Sequence, residues 1–196
     1  MAGATALSAA VLAAIANERM RAFRLGAGVL DRRAMAIAGV IATLMRGWLA
    51  ARGTGGIETS IALAIAAVAA VTDLQCGYVF DRVLLAGGAA LAAVAIVDSC
   101  LGVDLVGGLV AGVLLLIPWV ATRARGIGLG DVKLAAVLGF ALGPGGALRT
   151  LWIAFVIGAL VSAGCIVARR RSRARTVPFA PFLGLGALVG ACGGTP

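Results

Sequence analysis

The chain has 196 residues, of which 62% are apolar, 29 are glycine and only 13% are charged, with a mean hydropathy of +1.08. An ordinary soluble domain is roughly 45–50% apolar, so a soluble enzyme, a disordered tail and a collagen-like fibre are all excluded. Lys and Arg number 17 against 8 Asp and Glu, a net charge of +9, but the arginines cluster between apolar runs instead of lining one face, which makes them topology signals and gives no indication of nucleic acid as a partner.

Apolar runs bounded by charge fall at 2–16, 34–51, 57–72, 82–97, 103–121, 132–143, 150–168 and 178–193. In lipid each span must satisfy its own backbone hydrogen bonds, so the expectation is an all-α polytopic membrane helix bundle with six to eight transmembrane helices. Residues 1–56 read as an N-terminal membrane anchor region with about two spans, and 57–196 as the helix bundle that carries the chemistry. The first run also has small residues suited to a cleavage site, Ala9, Ala13 and Ala16, but no basic stretch precedes it, which favours a retained span over a signal peptide. The run 132–143 is brief and ends in Gly143-Pro144-Gly145-Gly146, a breaker cluster that marks a turn or a helix end.

Threading the spans alternately across the bilayer places every basic residue except Arg46, Arg52 and Arg149 on one side. That side is the cytoplasm by the positive-inside rule, with both termini outward. The arginine run 169–175 reads as a solvated loop touching anionic headgroups. Gly108 with Gly112 and Gly139 with Gly143 have the spacing that lets helices approach closely.

The chain has no histidine, which removes Ser-His-Asp and Cys-His nucleophile systems and His-ligated zinc. Its four cysteines, Cys76, Cys100, Cys165 and Cys192, form no C-x-x-C pair and read as packing residues, so neither a metal nor a cofactor is expected. Of the eight acids, Glu18 and Asp31 lie among arginines, while Glu58, Asp98 and Asp104 flank outward loops. Three remain: Asp73, Asp81 and Asp131.

Asp73 ends one inward-running span and Asp131 follows two crossings later, so both return to the cytoplasmic edge at similar depth. A carboxylate at bilayer depth costs about 2.5–3.5 kcal/mol on insertion scales, which makes one retained there a functional candidate facing the bundle interior. Two that converge in a partly wet cleft cannot both ionise easily; one serves as a base toward water while the other, protonated, polarises a carbonyl. The strip Gly126-Ile127-Gly128-Leu129-Gly130 before Asp131 has few side chains, so a substrate backbone could come close and an irregular loop could enter the cleft. Interfacial charges marking the membrane boundary are the plain alternative. A proton-coupled transporter using the aspartates as relays is another, although no inverted repeat is visible and the break before Asp131 has no counterpart at Asp73.

Gly128-Leu129-Gly130-Asp131-Val132-Lys133 resembles the GxGD motif of intramembrane aspartyl proteases, in the form followed by x-Lys found in type IV prepilin peptidases. Asp73 with Asp81 eight residues later is similar to that family's first catalytic segment, and Val177-Pro178-Phe179-Ala180-Pro181-Phe182-Leu183 to its late proline-phenylalanine segment. The resemblance covers roughly residues 57–193. It implies a membrane-embedded aspartyl endopeptidase of the bacterial inner membrane that removes the leader peptide of prepilins or pseudopilins at the cytoplasmic face. Asp73 and Asp131 are then the catalytic pair, and Gly128, Gly130 and Lys133 the residues beside the substrate. Asp81 would be a turn or cap residue; Lys133 would place a charge near the pair or snorkel to the headgroups; Pro178 to Phe182 would border the cleft or start a helix. Two departures stand out. Phe80 replaces the usual proline before Asp81, and nothing matches the C-x-x-C segment linked to methylation in long members, so cleavage carries over and methyl transfer does not. The Tyr-Asp and Pro-Ala-Leu signatures of presenilin-like proteases are absent.

Overall fold

The computed structural model describes residues 32–51, 56–123, 126–167 and 178–193. The expected first span at 2–16 and the arginine-rich segments 17–31 and 169–175 lie outside these residues. The described chain is all-helical: α1 Arg32–Ala51, α2 Ile57–Cys76, α3 Asp81–Val97, α4 Leu101–Ala121, α5 Leu129–Val167 and α6 Ala180–Cys192. Among the described residues, three stretches are long and apolar enough to cross a bilayer, Ile57–Gln75, Leu101–Ala121 and Leu129–Gly164, and Ala180–Cys192 is a shorter apolar helix.

At the centre lies α2, because it is apolar on every side. Each residue from Ala62 to Ala69 is buried, the pattern of a helix surrounded by others and not of one with a single core stripe. Helices α1, α3, α5 and α6 all pack against it, α1 by setting Ala42 on Ala67 and Val71. The outer faces of α4 and α5 expose Leu105, Leu109, Ile117 and Val120, then Leu148, Trp152 and Leu160, which suits lipid as their solvent.

The glycines bring α4 and α5 together. A Cβ on Gly107 would overlap the carbonyl oxygen of Gly139, and one on Gly112 would stand 3.3 Å from the Ala136 Cβ. These contacts show the two helices antiparallel, and the close approach is the one the small-residue spacing allows.

A non-helical residue, Gly143, with φ 66° and ψ 177°, divides α5 just before Pro144. A straight rod would hold Asp131 and Gly158 about 40 Å apart at 1.5 Å per residue. Instead Gly158 touches the rings of Phe179 and Phe182, beside the Ala180 amide that bonds to Asp73, and Asp73 lies within electrostatic reach of Asp131. At the other end of the bundle, Gly146 and Thr150 meet Gly190. The breaker cluster therefore bends α5 sharply into two arms that start from one end of the bundle, in keeping with the separate runs 132–143 and 150–168.

Candidate active site

Helix α2 does not stop where its apolar run meets Asp73. It continues through Asp73 to Cys76 and ends at Gly77, a left-handed residue (φ 68°, ψ 21°) whose N–H donates to the Asp73 carbonyl at 2.8 Å. Gly fits this cap without the Cβ clash that other residues meet there. Residues 78–80 link to α3, which begins at Asp81, where a negative charge complements the helix dipole. Phe80 holds φ −80° and ψ 119°, close to the φ that a proline ring imposes, so the departure from the family pattern leaves the backbone in the conformation expected of proline.

Asp131 belongs to a helix, not to the irregular loop expected from the glycine strip. Helix α5 starts at Leu129, and the Asp131 N–H donates to the Gly128 carbonyl at 3.1 Å while the Gly128 N–H donates to Asp131 Oδ2 at 3.2 Å. The Asp131 side chain thus makes one half of a capping box, satisfying the Gly128 N–H, while Gly128, with no side chain, returns only its backbone carbonyl. Both Gly128 and Gly130 have structural work here. A Cβ on Gly128 would lie 3.3 Å from Asp131 Oδ2, and one on Gly130 would lie 3.0 Å from the Val79 Cβ.

Asp73 and Asp131 lie at the same end of the bundle, at the end of α2 and the start of α5. They are 9% and 8% exposed, and Asp131 lies within electrostatic reach of Asp73. Asp73 Oδ2 also accepts the Ala180 N–H at 3.1 Å across 107 residues of sequence. Ala180 is fully buried and opens α6, with Pro181 behind it, so its amide is one of the orphan donors of a helix start. Tilted and edge-on ring contacts fix that start: Phe179 lies 5.5 Å from Phe155 of α5 and 6.1 Å from Phe182, centroid to centroid. A hydrogen bond to a charged group contributes about 1.5–3 kcal/mol, enough to offset much of the burial of a carboxylate.

Lys133 and Asp81 are brought together instead of reaching the dyad. Lys133 Nζ donates to Asp81 Oδ1 at 2.8 Å, with the two side chains 45% and 59% exposed. At the opposite end Asp104 and Asp98 lie within electrostatic reach of Glu58. Asp104, expected beside an outward loop, is in fact buried at 6% exposure with Oδ2 unpartnered, because the first turn of α4 packs against the bundle. Among the described residues no group of three or more Asp, Glu or Cys side chains gathers to hold a metal ion.

Fold and site together define a helical integral membrane protein with a pair of enclosed carboxylates at one end of its bundle. The model of the type IV leader peptidase family matches residues 60–163, the span that contains both aspartates, and the chain belongs to that family. It is 33% identical over 125 residues to the prepilin leader peptidase/N-methyltransferase of Bacillus subtilis (strain 168), covering 62% of this chain and 50% of that protein. It is 38% identical over 64 residues to the protein of the same description from Xanthomonas campestris pv. campestris, covering 33% of this chain and 22% of the relative. The chain thus matches half or less of the length of these curated relatives. No solved structure matches it significantly.

Proposed function

We propose that the chain is a membrane-embedded aspartyl endopeptidase that cleaves the N-terminal leader from type IV prepilins or pseudopilins at the cytoplasmic face of the bacterial inner membrane. The observation that carries this reading is that Asp73 and Asp131, on two different helices, are both buried and that Asp131 lies within electrostatic reach of Asp73. In that reading the pair holds a single proton. The ionised carboxylate takes a proton from water as its oxygen attacks the scissile carbonyl; the protonated one hydrogen-bonds the carbonyl oxygen and gives up its proton as the tetrahedral intermediate forms. As the intermediate collapses, the carboxyl that took the water proton gives it to the leaving nitrogen while the C–N bond breaks, the other carboxylate takes the proton of one gem-diol hydroxyl, and the pair is again singly protonated. Gly128 and Gly130 are assigned to the rim beside the substrate, and Lys133 to its ion pair with Asp81.

Charge distribution supports the cytoplasmic assignment. Arg82, Arg123 and Lys133 lie at the end of the bundle that holds the aspartates, whereas Glu58, Asp98 and Asp104 lie about 22 Å away along α2, at 1.5 Å per residue. The relatives' description also names a methyltransferase, and only cleavage is proposed here. Co-expression with a prepilin tests the reading: the unaltered chain shortens it, while Asp73→Asn and Asp131→Asn each abolish the mobility shift and still insert. Retained cleavage in either variant defeats the assignment.

A further inference from the structure

Asp81 lies eight residues beyond Asp73, and Lys133 lies two beyond Asp131, so each partner of the 2.8 Å ion pair sits in a segment that carries one of the paired aspartates. On a helix, residues i and i+2 do not share a face. Lys133 therefore projects away from the Asp131 carboxylate and meets the other segment instead. The same two segments touch a second time where Gly130 lies against Val79, with only 3.0 Å for any added Cβ.

We propose that Lys133 and Asp81 form a positioning pair that holds the α2–α3 turn against the first turn of α5 and thereby sets the working separation of Asp73 and Asp131. The proposal rests on the aspartyl peptidase reading, but it gives Lys133 a different task from touching the substrate. An exposed ion pair adds little to the stability of a fold. Its effect is on register, at a site where small displacements of reacting groups slow the chemistry.

A double-mutant cycle tests this in the full chain, reconstituted in lipid vesicles with a prepilin. Asp81→Ala and Lys133→Met should each lower kcat about two- to fivefold, the rate equivalent of ~0.5–1 kcal/mol of pair coupling, with KM and melting temperature unchanged. The double variant should lose no more than either single one. Asp81→Asn, which keeps an oxygen to accept the Lys133 Nζ–H, should retain most of the activity. Additive losses, rates equal to the unaltered chain, or a KM increase confined to Lys133→Met would overturn the proposal, the last by making Lys133 a substrate contact. Those outcomes leave the peptidase reading intact; no cleavage by the unaltered chain would remove that reading and the pair's role with it.

Discussion

Gly130→Ala is the substitution whose effect is most directly set by geometry. Gly130 does not have a positive φ, so alanine fits its backbone and the penalty comes from contact alone. The added Cβ would stand 3.0 Å from the Val79 Cβ and 3.6 Å from its Cγ2. Carbon atoms prefer about 3.5–4.0 Å, so the turn and the α5 start must part by about 0.5–1 Å. A misplacement of about 1 Å at reacting groups can slow catalysis some hundredfold; kcat for prepilin cleavage should therefore fall about ten- to hundredfold, with the protein still folded and inserted. Since the close atom is the Val79 Cβ, Val79→Ala should not rescue the variant, whereas Val79→Gly should restore most of the rate. Initial rates on a prepilin in lipid vesicles, with circular dichroism as the check on folding, measure all four proteins. A Gly130→Ala enzyme within twofold of the unaltered one, or equal rescue by Val79→Ala and Val79→Gly, would refute the reasoning.

Other consequences follow from the same contacts. Gly139→Ala forces a methyl onto the Gly107 backbone and should destabilise the bundle by about 1–3 kcal/mol, read as a lower melting temperature in detergent. Gly143→Ala places a side chain at φ 66°, ψ 177°, a region that essentially only glycine occupies, and should cost about 1–3 kcal/mol by the same measurement. A pair that needs one proton gives a bell-shaped pH profile of kcat/KM, falling on the acid side as both carboxyls protonate and on the alkaline side as both ionise; a profile with a single limb would contradict shared protonation.

Much of this architecture is legible in the residues themselves. Runs at 57–72, 82–97 and 103–121 correspond to α2, α3 and α4 to within a turn, because lipid-length apolar segments have few alternatives. The discrepancy at α2 is instructive: the helix passes through Asp73 because a carboxylate turned toward the bundle and bonded to Ala180 is no reason for a helix to end. The glycine strip suggested loose backbone, yet Gly128 and Asp131 cap each other and make it a helix start. What the letters hide are contacts carried by the backbone or spread across the chain. The donor to Asp73 is a main-chain N–H of an alanine, which no residue type announces, although Pro178 and Pro181 do mark the helix start that exposes it. The Lys133–Asp81 pair joins residues 52 apart, a contact that no local pattern announces. Burial of Asp104 likewise follows from packing and not from local pattern.

Asp73 and Asp131 lie at the same end of the bundle, within electrostatic reach. With Cys76, Cys100, Cys165 and Cys192 replaced by alanine, Asp73→Cys and Asp131→Cys in one chain should be joined rapidly in native membranes by a short thiol-reactive cross-linker, as seen by protection of both thiols from later labelling. Two thiols that never cross-link, yet label independently from opposite faces of the membrane, would contradict the account.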